Sequence, residues 1–148
     1  MSGTRFGRPA HILLVEDNPG DVRLTREALK DGPVPCQLHV ARNGVEALAF
    51  LRREDGFADA PQPDLILLDL NLPRKGGLQV LAEIKADERL RRIAVVVLST
   101  SEFEEDVARS YDLGANCYVV KPASLDPFIH AIHAMQAYWL QVVRLSLE

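Results

Sequence analysis

The chain has 148 residues, 47% of them hydrophobic, 26% charged and 6% aromatic, with a formal charge of −4 at pH 7. That length suits one domain of about 100–150 residues, and the balance excludes disorder, collagen-like repeats and a disulfide scaffold. The negative charge offers no grip on a nucleic-acid backbone, and no apolar run approaches the ~20 residues of a membrane span. Neither DNA nor a membrane is therefore expected as a partner. Cys36 and Cys117 form no CxxC pair, which fits a reducing compartment, and a cytoplasmic location is expected. No hydrophobic segment follows Arg5 and Arg8, so residues 1–9 read as a flexible polar leader, not a secretory signal.

In chain order, Ile12-Leu13-Leu14-Val15 is a continuous apolar run cut off by Glu16-Asp17-Asn18-Pro19-Gly20. It reads as a strand buried on both faces. Asp21 to Lys30 has helical spacing and ends at Gly32-Pro33. Cys36 to Ala41 alternates, with Leu38 and Val40 opposite Gln37 and His39, and predicts a half-exposed edge strand. A helix over Asn43 to Arg53 leads into a polar loop ending at Pro63. The second buried strand, Leu65 to Leu68, ends in Asp69, and a loop with Gly76-Gly77 precedes a helix from Leu78 to Ala86. The third, Ile93 to Leu98, ends at Ser99-Thr100. A helix over Glu102 to Leu113 stops at Gly114. The fourth buried strand, Tyr118 to Val120, ends at Lys121-Pro122. A final helix begins with Ser124 as its N-cap and extends toward Leu145. Five strands alternating with five helices, four of the strands buried, predict a doubly wound parallel sheet in one α/β domain over residues 10–148.

Ligands of open α/β sheets bind beyond the carboxyl ends of the strands. Those ends carry Glu16, Asp17, Asp69, Ser99, Thr100 and Lys121. Clustered carboxylates require a cation, and an all-oxygen set suits Mg²⁺. A carboxylate such as Asp69 can attack phosphorus to give an acyl phosphate. Lys121, the Ser99 hydroxyl and a metal would then neutralise the equatorial oxygens.

Four segments in order, Leu14-Val15-Glu16-Asp17-Asn18, Leu67-Leu68-Asp69-Leu70-Asn71-Leu72-Pro73, Val97-Leu98-Ser99-Thr100 and Tyr118-Val119-Val120-Lys121-Pro122, make the chain resemble the receiver domains of two-component response regulators. The resemblance covers about residues 10–135. It implies a flavodoxin-like strand order 2-1-3-4-5, with Asp69 as phosphoacceptor and Mg²⁺ held by Glu16, Asp17, Asp69 and the Asn71 carbonyl. It implies Ser99 and Tyr118 as the switch pair, Lys121 as the phosphate-binding lysine, and a cis peptide before Pro122. Gly76-Gly77 departs from the Asp-Gly common in the family at that loop. Asn18-Pro19-Gly20-Asp21 and the polar insertion before the third strand make the chain look like the small response regulators of cyanobacterial and bacterial phytochromes. A phytochrome-type histidine kinase is the partner so implied. Two alternatives stand beside this reading. One is a degenerate receiver serving as scaffold or phosphate sink. The other is a phosphatase of the haloacid dehalogenase type, which Asn71 disfavours because those enzymes place a second aspartate there.

The residues beyond a receiver's usual length extend the last helix. Phe128, Ile132, Met135, Trp139, Val142 and Val143 form a stripe at three- and four-residue spacing. Past the end of the sheet, Tyr138, Trp139, Leu140, Val142 and Val143 predict an apolar patch for a homodimer, with docking to a kinase as the alternative. His11, His39, His130 and His133 form no metal-ligand pattern in the sequence.

Overall fold

A computed structural model of the chain describes residues 8–143 and Leu145. The parallel strands are β1 (Ala10–Val15), β2 (Cys36–Ala41), β3 (Leu65–Leu68), β4 (Ala94–Ser99) and β5 (Cys117–Val120), in the sheet order β2-β1-β3-β4-β5. The helices are α1 (Pro19–Lys30), α2 (Gly44–Arg52), α3 (Gly77–Ala86), α4 (Glu104–Asp112) and α5 (Leu125–Ala137). Each predicted element is present, with ends shifted by a residue or two except at the C-terminal end of the last helix. Of the expected leader, residues 1–7 lie outside the described residues. Arg8 is anchored, its guanidinium gripping both oxygens of Asp64 at 2.9 and 3.0 Å.

The period-2 geometry of each strand divides its side chains between two cores. Ile12, Leu14, Leu65, Leu67, Val96 and Leu98 face α1 and α5, whereas Leu13, Val15, Ile66, Leu68, Val95 and Val97 face α2 and α3. Burial on both faces is why these strands read as unbroken apolar runs. The fourth expected buried strand is corrected: Cys117, Tyr118 and Val119 are only half-buried and Val120 is exposed, because β5 is the sheet's edge.

Opposite ends of α1 are fixed by different means. At its start, Asn18 Oδ1 accepts the Asp21 backbone N–H at 3.0 Å, an N-cap that leaves Pro19 at the first helical position. At its end, helix carbonyls lack partners within the helix, and α5 supplies them. His133 Nε2–H donates to the Ala28 carbonyl at 2.8 Å, and the buried Gln136 amide donates to the carbonyls of Val34 at 2.6 Å and Leu29 at 3.4 Å. Gly32 makes room for that amide, since a Cβ there would lie 1.8 Å from Gln136 Oε1.

Two histidines distant in sequence meet across β1 and β2. His11 Nδ1 lies 3.0 Å from His39 Nε2, and the His39 ring packs on Phe50. The sequence shows no such pairing, because it depends on the β1–β2 register.

The expected continuous helix to Leu145 is also corrected. After Ala137 the helix widens into a π-turn over Tyr138–Val142, closed by the Val143 N–H on the Tyr138 carbonyl at 2.9 Å. Leu140 lies four residues after Gln136 and eight after Ile132, so it continues the buried face of α5. Leu140 is wholly buried, Leu145 is buried with it, and Trp139 and Val143 pack against the same core. Only Tyr138 and Val142, at 53% and 68% exposure, remain for an outward patch. Leu140→Ala is expected to lower unfolding free energy by about 2–5 kcal/mol, and Val142→Ala by less than about 0.5 kcal/mol. Urea denaturation of the two variants checks this, and equal losses would show that the π-turn does not close the core.

Candidate functional site

Strands β1, β3, β4 and β5 end side by side, and the residue after each apolar run turns into a common rim. Glu16 continues the β1–β2 ladder, its N–H bonded to the Ala41 carbonyl at 2.9 Å. The Asp69 N–H bonds Val15 at 3.0 Å and the Lys121 N–H bonds Ser99 at 2.7 Å. The side chains are therefore aimed by backbone that belongs to the sheet.

Among the described residues, Glu16, Asp17 and Asp69 form a triad in which one carboxylate oxygen of each lies within 4.8 Å of the others. Glu16 and Asp69 are buried and Asp17 is exposed, so the triad has one wet side. Lys121 Nζ reaches Glu16 Oε1 at 2.7 Å, Asp21 Oδ2 at 2.9 Å and Asp69 Oδ2 at 3.4 Å. Asp69 Oδ1 accepts the Asn71 N–H at 3.0 Å, leaving Oδ2 with the long lysine contact. Burial, together with the neighbouring Asp69 carboxylate, pushes Glu16 up to about 7 against the opposing pull of Lys121. Burial acts against the charge on Lys121, but its bonds to Glu16 and Asp21 and the charge of Asp69 outweigh it and raise the ammonium above its ordinary value. One ammonium thus faces three acidic side chains directly, and the site is short of positive charge. Three hard oxygen donors with a solvent side fit Mg²⁺ or Mn²⁺, which retain water ligands and use few carboxylates.

Ser99 ends β4 wholly buried, and its Oγ accepts the Ser101 N–H at 3.2 Å. The Tyr118 hydroxyl donates to the Ser101 carbonyl at 2.9 Å. The expected switch pair is thus joined through one residue, Ser101. Asn71 is exposed and contributes its backbone N–H to Asp69. Every described peptide bond is trans, so the cis bond expected before Pro122 is not found; the direction of Lys121 comes from its carboxylate partners.

Two residues gained no role from the sequence. Asp21 is one, because its approach to Lys121 depends on the start of α1 meeting the end of β5. The acid in the first helical turn was the available signal. Gly77 is the other. Its N–H bonds the Leu70 carbonyl at 3.0 Å, and a Cβ on it would stand 2.4 Å from the Asp69 carbonyl oxygen and 2.5 Å from Leu70 Cα. The start of α3 packs directly on the backbone that carries Asp69.

Comparison with known proteins identifies the class of domain that carries such a rim. The chain belongs to the response regulator receiver domain family, whose sequence profile matches residues 12–133. Within it, the chain is 46% identical over 137 residues to the response regulator Rcp1 of Synechocystis sp., covering 93% of each chain. It is 39% identical over 132 residues to the probable methanogenesis regulatory protein FilR2 of Methanothrix harundinacea, covering 89% of this chain and 84% of that one. The structure of the phosphorylated cyanobacterial phytochrome response regulator RcpA superposes with a TM-score of 0.90 at 50% identity, covering 93% of this chain and 99% of that one. The Mn²⁺-bound form of Rcp1 superposes with a TM-score of 0.89 at 46% identity over the same shares. The resemblance to phytochrome response regulators drawn from the motifs is thus borne out, as is the strand order.

Gly76 offers a contrast to Gly77, since nothing lies within 4 Å of a Cβ built there. Gly77→Ala is expected to cost about 1–3 kcal/mol of stability through overpacking, and Gly76→Ala to be near neutral. Thermal unfolding of both variants measures the difference, and the reverse order would refute the close packing on Asp69.

Proposed function

We propose that the chain takes a phosphoryl group onto Asp69 from the phosphohistidine of a sensor kinase in a Mg²⁺-dependent reaction, and signals through protein contacts. The observation that carries this reading is the lysine bridge: Lys121 Nζ lies between Glu16 and Asp69, at 2.7 and 3.4 Å. An ammonium held there is placed to receive an anionic group arriving at Asp69. In the transfer, the Asp69 carboxylate forms a bond to phosphorus while the phosphorus–nitrogen bond of the donor breaks and the imidazole leaves. Glu16, Asp17, Asp69 and the Asn71 carbonyl would hold Mg²⁺, which neutralises phosphoryl oxygens during transfer. Lys121 covers a second oxygen, and the Ser99 hydroxyl can turn from Ser101 to cover a third. The chain thereby promotes only its own phosphorylation and dephosphorylation.

A phytochrome-type kinase is the proposed donor. The support is that RcpA, at 50% identity, and the bacteriophytochrome response regulator AtBRR, at 41%, are both regulators of that kind. Asp69→Asn preserves the shape and removes the nucleophile. It should reduce labelling by acetyl phosphate or a cognate kinase at least ~10³-fold while leaving the fold intact. Undiminished labelling, or label surviving in acid, would reject the assignment.

The proposed homodimer now rests on Tyr138 and Val142, the two tail residues that stay outside the core. Ser99, Ser101 and Tyr118 connect Asp69's rim to β5 and α4, so phosphorylation should tune the association by a coupling of about 1–3 kcal/mol. Sedimentation equilibrium of the wild type and Val142→Asp, with and without beryllofluoride, reads both effects. A wild-type monomer in all conditions would remove the dimer, and an affinity blind to beryllofluoride would remove the coupling.

A further inference from the structure

An ammonium has three N–H donors. Two of the carboxylates that receive those of Lys121, Glu16 at 2.7 Å and Asp69 at 3.4 Å, belong to the acidic triad. The third, Asp21 at 2.9 Å, does not. A divalent cation entering the triad draws on the carboxylates of Glu16 and Asp69 that now serve the ammonium. Cation and ammonium compete for those two carboxylates, and Asp21 is the one partner of Lys121 that the cation leaves alone.

The geometry gives Asp21 a firm base for that contact. It stands in the first turn of α1, four residues beyond Asp17, with its backbone N–H capped by Asn18. A helix N-terminus favours a carboxylate, and Asp21 stands in that first turn. The far end of the same helix is tied to α5 through His133 and Gln136, and α5 follows directly after Lys121-Pro122. Asp21 is thus set by its helix, and the Lys121 backbone by its N–H on the Ser99 carbonyl of β4. Asp21 also lines the open cleft beside the site, with Thr100, Glu102, Lys121 and Pro122.

We infer that Asp21 is a positioning residue that draws the Lys121 ammonium toward α1 and away from the metal-binding carboxylates, so that metal and lysine hold separate places at the rim. This rests on the reading of Glu16, Asp17 and Asp69 as the Mg²⁺ site. Without the Asp21 charge, Lys121 settles more fully on Glu16 and Asp69, and Mg²⁺ has to displace it.

Calorimetric titration with MgCl₂ of wild type, Asp21→Asn, Lys121→Met and the double variant tests this without any phosphoryl transfer. Asp21→Asn should raise the Mg²⁺ Kd roughly tenfold, the lower bound for an outer-shell partner of a metal site. In the Lys121→Met background the same change should cost no more than about twofold, because the residue through which it acts is gone. An unchanged Kd for Asp21→Asn overturns the inference. So does an equal loss in both backgrounds, which would make Asp21 a remote charge acting directly on the metal. Failure of the wild type to bind Mg²⁺ is a different result: it overturns the metal site itself, and the inference with it.

Discussion

The rim depends on a buried lysine. The Lys121 side chain is only 6% exposed, and an ammonium so far from water is tolerable only where carboxylates meet it at hydrogen-bond distance. Glu16 comes from the end of β1, Asp69 from the end of β3, Asp21 from the start of α1 and Lys121 from the end of β5. Four separate segments must therefore be in register before any of these charges is satisfied. Removing one partner of a buried pair typically costs about 3–5 kcal/mol, because it leaves the other charge stranded. The same shortage of positive charge that makes the site demanding also makes it receptive to a divalent cation.

The sheet meets this demand by making the backbone a continuation of its own ladder. Glu16, Asp69 and Lys121 each donate an N–H to the neighbouring strand, so their Cα positions are as rigid as the core beneath. Apolar residues on both faces of β1, β3 and β4 supply that rigidity. Gly77 adds a tight contact on the Asp69 backbone from below. By contrast, α4 contributes only Ser110 to the buried set, and it lies next to the Ser99–Ser101–Tyr118 connection. An element with so little buried surface is held less firmly than its neighbours.

The end of the chain shows how a local pattern can mislead. Apolar residues at three- and four-residue spacing past the sheet suggested a patch facing outward. Leu140, four residues after the buried Gln136, enters the core with Trp139 and Val143 against it. The spacing shows the apolar character of this segment, but not that Trp139, Leu140 and Val143 face the core while Tyr138 and Val142 face outward.

Much about this protein was legible in its linear order. Apolar runs with no alternation, each closed by a polar residue, identify strands buried on both faces, and their alternation with helices selects a doubly wound sheet. Since ligands gather at the carboxyl ends of such strands, Glu16, Asp17, Asp69, Ser99 and Lys121 could be assigned to one rim from the chain alone. Other features depended on packing between distant segments. The β1–β2 register brings His11 to His39, the start of α1 meets the end of β5 where Asp21 reaches Lys121, and the contact of α3 with β3 leaves no room for a side chain at Gly77. Periodicity reports which residues are buried and where an element stops. It carries no information on which two elements touch or at what register, and only the folded chain sets those distances.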